Sequence, residues 1–162
     1  MGGTRPTSVI DRRLAVAATL LVAGVTIAAL LQGTSPAAFP GKNGKIAFDS
    51  DRGGDRDIFT MNPNGSGQTN LTRNRRIDDL RPVWNPGGGE IAFWSDRSGN
   101  HDVHTMNADG SGVRRLTGSP GLDGDPSFSP NGKTIAFWSD RLGDFEIFTM
   151  KADGSRDRKS VV

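Results

Sequence analysis

The chain has 162 residues and no cysteine. It therefore forms no disulfide and carries no lipid-modified cysteine at a lipoprotein cleavage site, so packing and hydrogen bonding must hold the fold. Histidine is nearly absent too, with His101 and His104 alone. No G-x-S-x-G elbow occurs beyond the first forty residues, which leaves little material for a nucleophilic triad and no recognisable catalytic set. An excess of positive charge is also missing where it would matter. Setting aside Arg5, Arg12, Arg13 and Asp11 of the leader leaves 17 basic and 17 acidic residues, so the pI near 9.4 comes largely from the leader. A nucleic-acid role loses its electrostatic support.

Long apolar runs are confined to one place. The start "MGGTRPTSVIDRR" is followed by an uncharged run at residues 14–31 and by "QGTSPAAFP", where Ser35, Pro36 and Ala37 offer the small residues of a cleavage site. A basic start, an apolar stretch and a small-residue exit read as an export signal spanning residues 1–38. Eighteen apolar residues also approach the ~20 needed to cross a bilayer, so an uncleaved anchor is the alternative. Either way the remainder is expected outside the cytoplasm, periplasmic or secreted, touching membrane only through this segment.

What the remainder does contain is repetition. "IAFWSDR" stands at Ile91–Arg97 and again at Ile135–Arg141, with "IAFDSDR" at Ile46–Arg52. The spacings are 45 and 44 positions, the size of one supersecondary unit per repeat. Each unit offers four short strands: one around Trp84 or Phe128, the Ile-Ala-Phe segment, then "DIFTM", "DVHTM" or "EIFTM", and last "TNLT" or "RRLT". Turn residues separate them. Gly87-Gly88 and Asn131-Gly132 lie between first and second strands; Asn64-Gly65, Asp109-Gly110 and Asp153-Gly154 lie between third and fourth. Four antiparallel strands per unit of this length describe a propeller blade. One unit cannot stand alone, since ordering ~44 residues costs about 1.5 kcal/mol each. Roughly eight large apolar side chains return only about 1.5–3 kcal/mol apiece. Neighbouring units must supply the rest.

These residues carry a family resemblance. The repeats from about Phe39 to Ser155, with "P-x-W-x-P" and "P-x-F-x-P" linkers, resemble the TolB-type β-propeller repeat, whose blades read P-x-W-S-P-D-G, then I-A-F-x-S-D-R, then D-G-s. WD repeats are less similar, because their Gly-His and Trp-Asp pairs are absent. The resemblance implies an all-β fold of four-stranded antiparallel blades related to a six-bladed parent, which needs more than about 250 residues. Here the repeats divide at about 39–84, 85–128 and 129–155, and the tail at 156–162, "RDRKSVV", abandons the repeat where "GVRRLT" was due. Fewer than three blades are therefore expected, a partial propeller. Two open faces should expose Phe48, Phe59, Phe137 and Phe148. The purified chain should self-associate, most simply as two copies approximating a ring, or aggregate.

Candidate binding residues lie in rim loops. Arg52, Arg97 and Arg141 end the "SDR" of each copy, where Asp and Arg are expected to hold the loop through hydrogen bonds to backbone and to each other. The repeats differ most in two linkers: residues 73–82 carry Arg75, Arg76, Asp78 and Asp79, and residues 118–126 carry Asp123 and Asp125. Exposed variable loops are where partners dock. "DSDRGGDRD" at residues 49–57 has Thr60 where a calcium loop needs its bidentate acid, so no calcium is expected. His104 aligns with Phe59 and Phe148 and reads as a core residue; Trp94 and Trp138 read as packing between blades. "NGKT" at residues 131–134 is a hairpin, not a phosphate loop, because Ser127 stands where glycine is required. No metal and no cofactor is expected. The family resemblance implies a non-catalytic, protein-binding scaffold. Similar propellers also accompany hydrolase domains and form polysaccharide lyases, so a fragment of such an enzyme is the alternative.

Overall fold

A computed structural model describes residues 44–160, all within one compact unit, Ala38–Val162. The leader predicted at residues 1–38 lies outside the described residues. Among the described residues no helix is long and apolar enough to cross a membrane.

Among the described residues eleven strands form three antiparallel sheets, each a simple meander. The first contains β1 (Ile46–Ser50), β2 (Asp57–Met61) and β3 (Thr69–Asn70). The second contains β4 (Asp79–Trp84), β5 (Glu90–Ser95), β6 (Asp102–Asn107) and β7 (Arg114–Arg115). The third contains β8 (Asp123–Phe128), β9 (Thr134–Ser139), β10 (Glu146–Lys151) and β11 (Arg158–Lys159). The period-2 geometry of a strand sends alternate residues to opposite faces, and here both faces are buried. In β6, Asp102, Val103, His104, Thr105 and Met106 are all buried in succession, as expected of a sheet sandwiched between neighbours.

Packing follows one rule, applied twice. Ile58 of the first sheet, with Ala47 and Leu71 beside it, packs against Ile91, Phe93 and Met106 of the second. Ala92 and Val103 on the opposite face of the second sheet pack against Ile135, Phe137, Phe148 and Met150 of the third. Backbone bonds reinforce each junction: the Asp79 N–H donates to Arg56 O at 2.7 Å, and the Asp123 N–H donates to His101 O at 2.8 Å.

Several expectations need correction. The third sheet does not stop at Ser155: Arg158 and Lys159 pair with Thr149 and Phe148, and Lys159 Nζ binds Glu146, so two basic residues serve where "RRLT" was expected. The sheets begin at Asp79 and Asp123, so cuts after Trp84 and Phe128 would sever each inner strand from its own sheet. Phe59, Phe137 and Phe148 are buried, the last two by the second sheet; Phe48 is half-buried. Among the described residues the large apolar side chains that do face solvent are Ile46, Val113, Leu142, Phe145 and Ile147. Of each Asn-Gly or Asp-Gly pair between third and fourth strands, only the glycine takes positive φ, for example Gly110 at +89°. The aspartate before it instead accepts from the Ser111 N–H at 2.9 Å and the Ser111 hydroxyl, an Asx arrangement that fixes the loop. That bonding favours the Asp109 carboxylate and lowers its pKa; Ser155 does the same to Asp153.

Candidate binding rim

The "SDR" loops lie beside the linkers that bring the chain from one sheet to the next. Ser95 Oγ accepts from Arg97 Nε at 2.9 Å and from the Arg97 N–H at 3.2 Å, folding the side chain back over its own strand. Asp96 does not pair with Arg97. Its Oδ1 accepts the Asp78 N–H at 2.9 Å, pinning the incoming linker, and Asp140 Oδ1 accepts the Leu122 N–H at 2.6 Å in the same way. Asp78 in turn accepts the Arg56 N–H at 2.9 Å.

The partner of Arg97 is Asp79, at the start of the inner strand. Nη2 donates to Oδ1 at 2.7 Å and to Oδ2 at 2.8 Å. Arg141 Nη2 donates to Asp123 Oδ1 at 2.8 Å, and its Nη1 donates to Asp157 at 2.6 Å. Burial alone would lower the Arg141 pKa, but the hydrogen bonds and charges of Asp123 and Asp157 outweigh it and raise the value. Each guanidinium also lies over phenylalanine, Arg97 over Phe93 at 5.4 Å and Arg141 over Phe148 at 4.5 Å, a cation–π contact. Asp79 and Asp123 are fully buried. They were expected at the rim for a partner; they hold the inner strand to its sheet instead, because a buried carboxylate needs a charged, well-aligned donor.

The other predicted residues divide. Asp125 and Arg81 form an exposed pair at 3.7 Å between neighbouring inner strands. Arg75 and Arg76 are exposed and, with Gly53, Gly54 and Asp55, line an open cavity of about 370 Å³. Arg76 takes φ 63° there, and Asp55 Oδ2 is buried without a hydrogen-bond partner. The rim residues thus form no single cluster. Trp94 packs on His101 with ring centroids 4.2 Å apart, and Trp138 meets Phe145 edge-on at 5.1 Å, so both contacts lie within one repeat instead of between blades. His104 is a buried core residue stacked on Phe93, its Nδ1 3.0 Å from Asp102 O.

Sequence reasoning missed Asp57, Asp102 and Glu146, which open β2, β6 and β10, the third strand of each repeat. Asp57 accepts from Asn70 Nδ2 at 2.7 Å, Asp102 lies 2.8 Å from Arg115 Nη2, and Glu146 binds Lys159, so each acid fastens the outer strand. The Arg115 contact is ionic only: Asp102 Oδ2 lacks hydrogen-bond alignment. An acid at one repeat position, always followed by a polar or basic outer strand, was the available signal.

Three meander sheets packed face to face, each with an arginine rim and an inner-strand aspartate where the strand is present, define a β-propeller repeat protein. Residues 79–161, just over half of the chain, match the model of the TolB β-propeller domain, and the chain belongs to that family. No curated protein matches the sequence. Among solved structures the chain is similar to a TolB of Agrobacterium tumefaciens, with 26% identity, a TM-score of 0.68, and coverage of 75% of this chain and 46% of that one. It is similar to TolB from Acinetobacter baumannii at 23% identity and a TM-score of 0.65, covering 74% of this chain and 30% of that one. A chain of a nidogen/laminin complex shares the fold alone, at 13% identity and a TM-score of 0.60 over 75% of this chain and 45% of that one. The chain therefore spans less than half the length of these structures.

Proposed function

We propose that the protein is an exported, non-catalytic scaffold that binds protein through the outer face of its third sheet. One observation carries this reading. Ile58 and Val103 occupy equivalent positions in β2 and β6 and are fully buried beneath the next sheet, whereas Ile147 in β10 is 53% exposed. Phe145, beside it, is 69% exposed and Leu142 is 64% exposed. Trp138, opposite Ile147 and edge-on to Phe145, joins these two into one apolar face, and an apolar face of this kind marks an interaction site. A second copy is the simplest occupant, because the first sheet offers Ile46 and Phe48 on the kind of face that covers this position within the chain. The similarity to TolB structures supports an extracytoplasmic setting, and the nidogen/laminin likeness shows the same fold within a protein complex.

The test is a photo-crosslinking residue placed at Phe145 in the producing cell. The reading expects a covalent protein adduct at this position and none from the same residue at Arg73, on an exposed linker. An adduct of twice the chain mass supports self-association; one of another mass supports a different protein partner. No adduct at Phe145 overturns the reading.

A further inference from the structure

The two junctions between sheets share one plan, yet only the second is sealed. In each, a threonine follows the outer strand: Thr72 Oγ1 accepts the Ile58 N–H and Thr117 Oγ1 accepts the Val103 N–H, both at 2.9 Å. In each, an aspartate opens the next inner strand, Asp79 or Asp123. Between these fixed points lie six residues in the first linker, 73–78, and five in the second, 118–122. The loop beside each linker repeats as well. Gly54 and Gly99 take φ of 110° and 101°, and Asp55 and Asn100 follow them.

Asn100 does the sealing. Its Nδ2 donates to the carbonyls of Ser119, Pro120 and Gly121 at 3.2, 3.4 and 2.8 Å. Asp55, at the same place in the first junction, has no N–H to give, and a carboxylate repels carbonyl oxygens. Here loop and linker instead line the open cavity of about 370 Å³, with Gly53, Gly54 and Asp55 on one wall and Arg75 and Arg76 on the other. Both walls belong to described segments. Asp55 Oδ2 is enclosed with no hydrogen-bond partner among the described residues, so its carboxylate gains by turning to a donor that enters. The longer linker turns at Arg76, whose φ of 63° suits glycine or asparagine better. Strain of this kind is characteristic of ligand sites.

The charges decide what fits. Two arginines repel a metal ion, and the acid beside them disfavours a multiply charged anion. A carboxylate with a nitrogen donor one carbon away meets both signs at once. We propose that this cavity binds an α-carboxylate together with the N–H on its α-carbon, as carried by a free amino acid or by the last residue of a peptide. Arg75 and Arg76 hold the carboxylate, for which the planar guanidinium is suited, and Asp55 takes the N–H. Gly53 and Gly54 leave room for the ligand by carrying no side chain. The site is separate from the third-sheet face and stands or falls independently of it.

The test follows the Gly53 and Gly54 amide signals of the isotope-labelled full chain by NMR while free glycine, N-acetylglycine or acetate is added. Saturable shifts are expected with free glycine, with N-acetylglycine, or with both. Tighter binding of the first identifies a free amino acid as the source, and tighter binding of the second a peptide terminus. Acetate, which has no N–H, should bind about tenfold more weakly. Arg75→Gln and Arg76→Gln should each raise Kd about tenfold or more, while Arg73→Gln should leave it unchanged. Asp55→Asn, which copies Asn100, should seal the linker and abolish the shifts. Unmoved signals far from the junction show that each variant is folded. No saturable shift with either nitrogen-bearing ligand, acetate binding as tightly, an unchanged Kd for Arg75→Gln and Arg76→Gln, or full binding by Asp55→Asn overturns the proposal.

Discussion

Replacing Arg97 with alanine tests the view that the repeated arginine is a fastener of the fold. The Asp79 side chain is fully buried and that of Arg97 is 20% exposed, and two charge-assisted bonds of 2.7 and 2.8 Å join them. Truncating Arg97 leaves the carboxylate with Asn74 Nδ2 at 3.3 Å as its other side-chain donor. Removing one partner of a buried pair costs about 3–5 kcal/mol, because the remaining charge is uncompensated. A domain of this size has about 5–15 kcal/mol in all, so the loss is a large fraction of its stability. Loss of the stacking on Phe93 acts in the same direction. Arg81→Ala is the control: its pair with Asp125 is 3.7 Å long, with side chains 69% and 52% exposed, and should cost at most about 1 kcal/mol. Urea unfolding followed by tryptophan fluorescence measures both variants. Adding Asp79→Asn to Arg97→Ala should restore part of the loss by removing the stranded charge. If Arg97→Ala is no worse than Arg81→Ala, the reasoning is refuted.

His104 gives a pH dependence. Burial disfavours its imidazolium and lowers its pKa below 6.5, opposed by the Asp102 carbonyl, with Arg97 adding to the lowering and the Asp102 and Asp79 carboxylates resisting it. The unfolded chain then protonates first on acidification, so stability present above pH 6.5 is lost as pH falls below it. His104→Phe, the residue type at positions 59 and 148, should flatten that part of the unfolding profile; an unchanged slope between pH 7.5 and 5.5 would count against a buried neutral histidine. Gly124→Ala places a methyl 2.5 Å from Trp138 Cζ2 and should cost about 1–3 kcal/mol by overpacking, read from the same urea curves; a neutral result would mean the indole moves freely. N-terminal sequencing should find the mature chain beginning near Ala38 in a soluble extracytoplasmic fraction, whereas an intact leader recovered from membranes supports the anchor.

Much of the fold was legible because repetition makes strand, turn and strand visible three times. Gly65, Gly88, Gly110, Gly132 and Gly154 all take the positive φ that their turn positions suggested. The partners of the rim arginines were not, because Asp79 lies 18 residues from Arg97 and reads locally as one of two acids in a charged linker. Only the constant interval to Asp123 and Arg141 marks it. β11 was missed for a different reason: Arg158-Lys159 repeats the basic pair Arg114-Arg115 at the 44-residue interval but without the Leu-Thr that follows it there, and the contact of Lys159 with Glu146 is visible only once the strand is placed. Which face stays open could not be read either, since Ile58, Val103 and Ile147 look equivalent until the neighbouring sheets are placed.

The most direct measurement is light scattering coupled to gel filtration on the chain purified from the extracytoplasmic fraction, alongside Ile147→Asp. The account predicts an associated wild type, most simply a dimer, and a folded Ile147→Asp variant shifted to monomer. A wild-type chain that runs as a stable monomer with a sharp cooperative melt would contradict it.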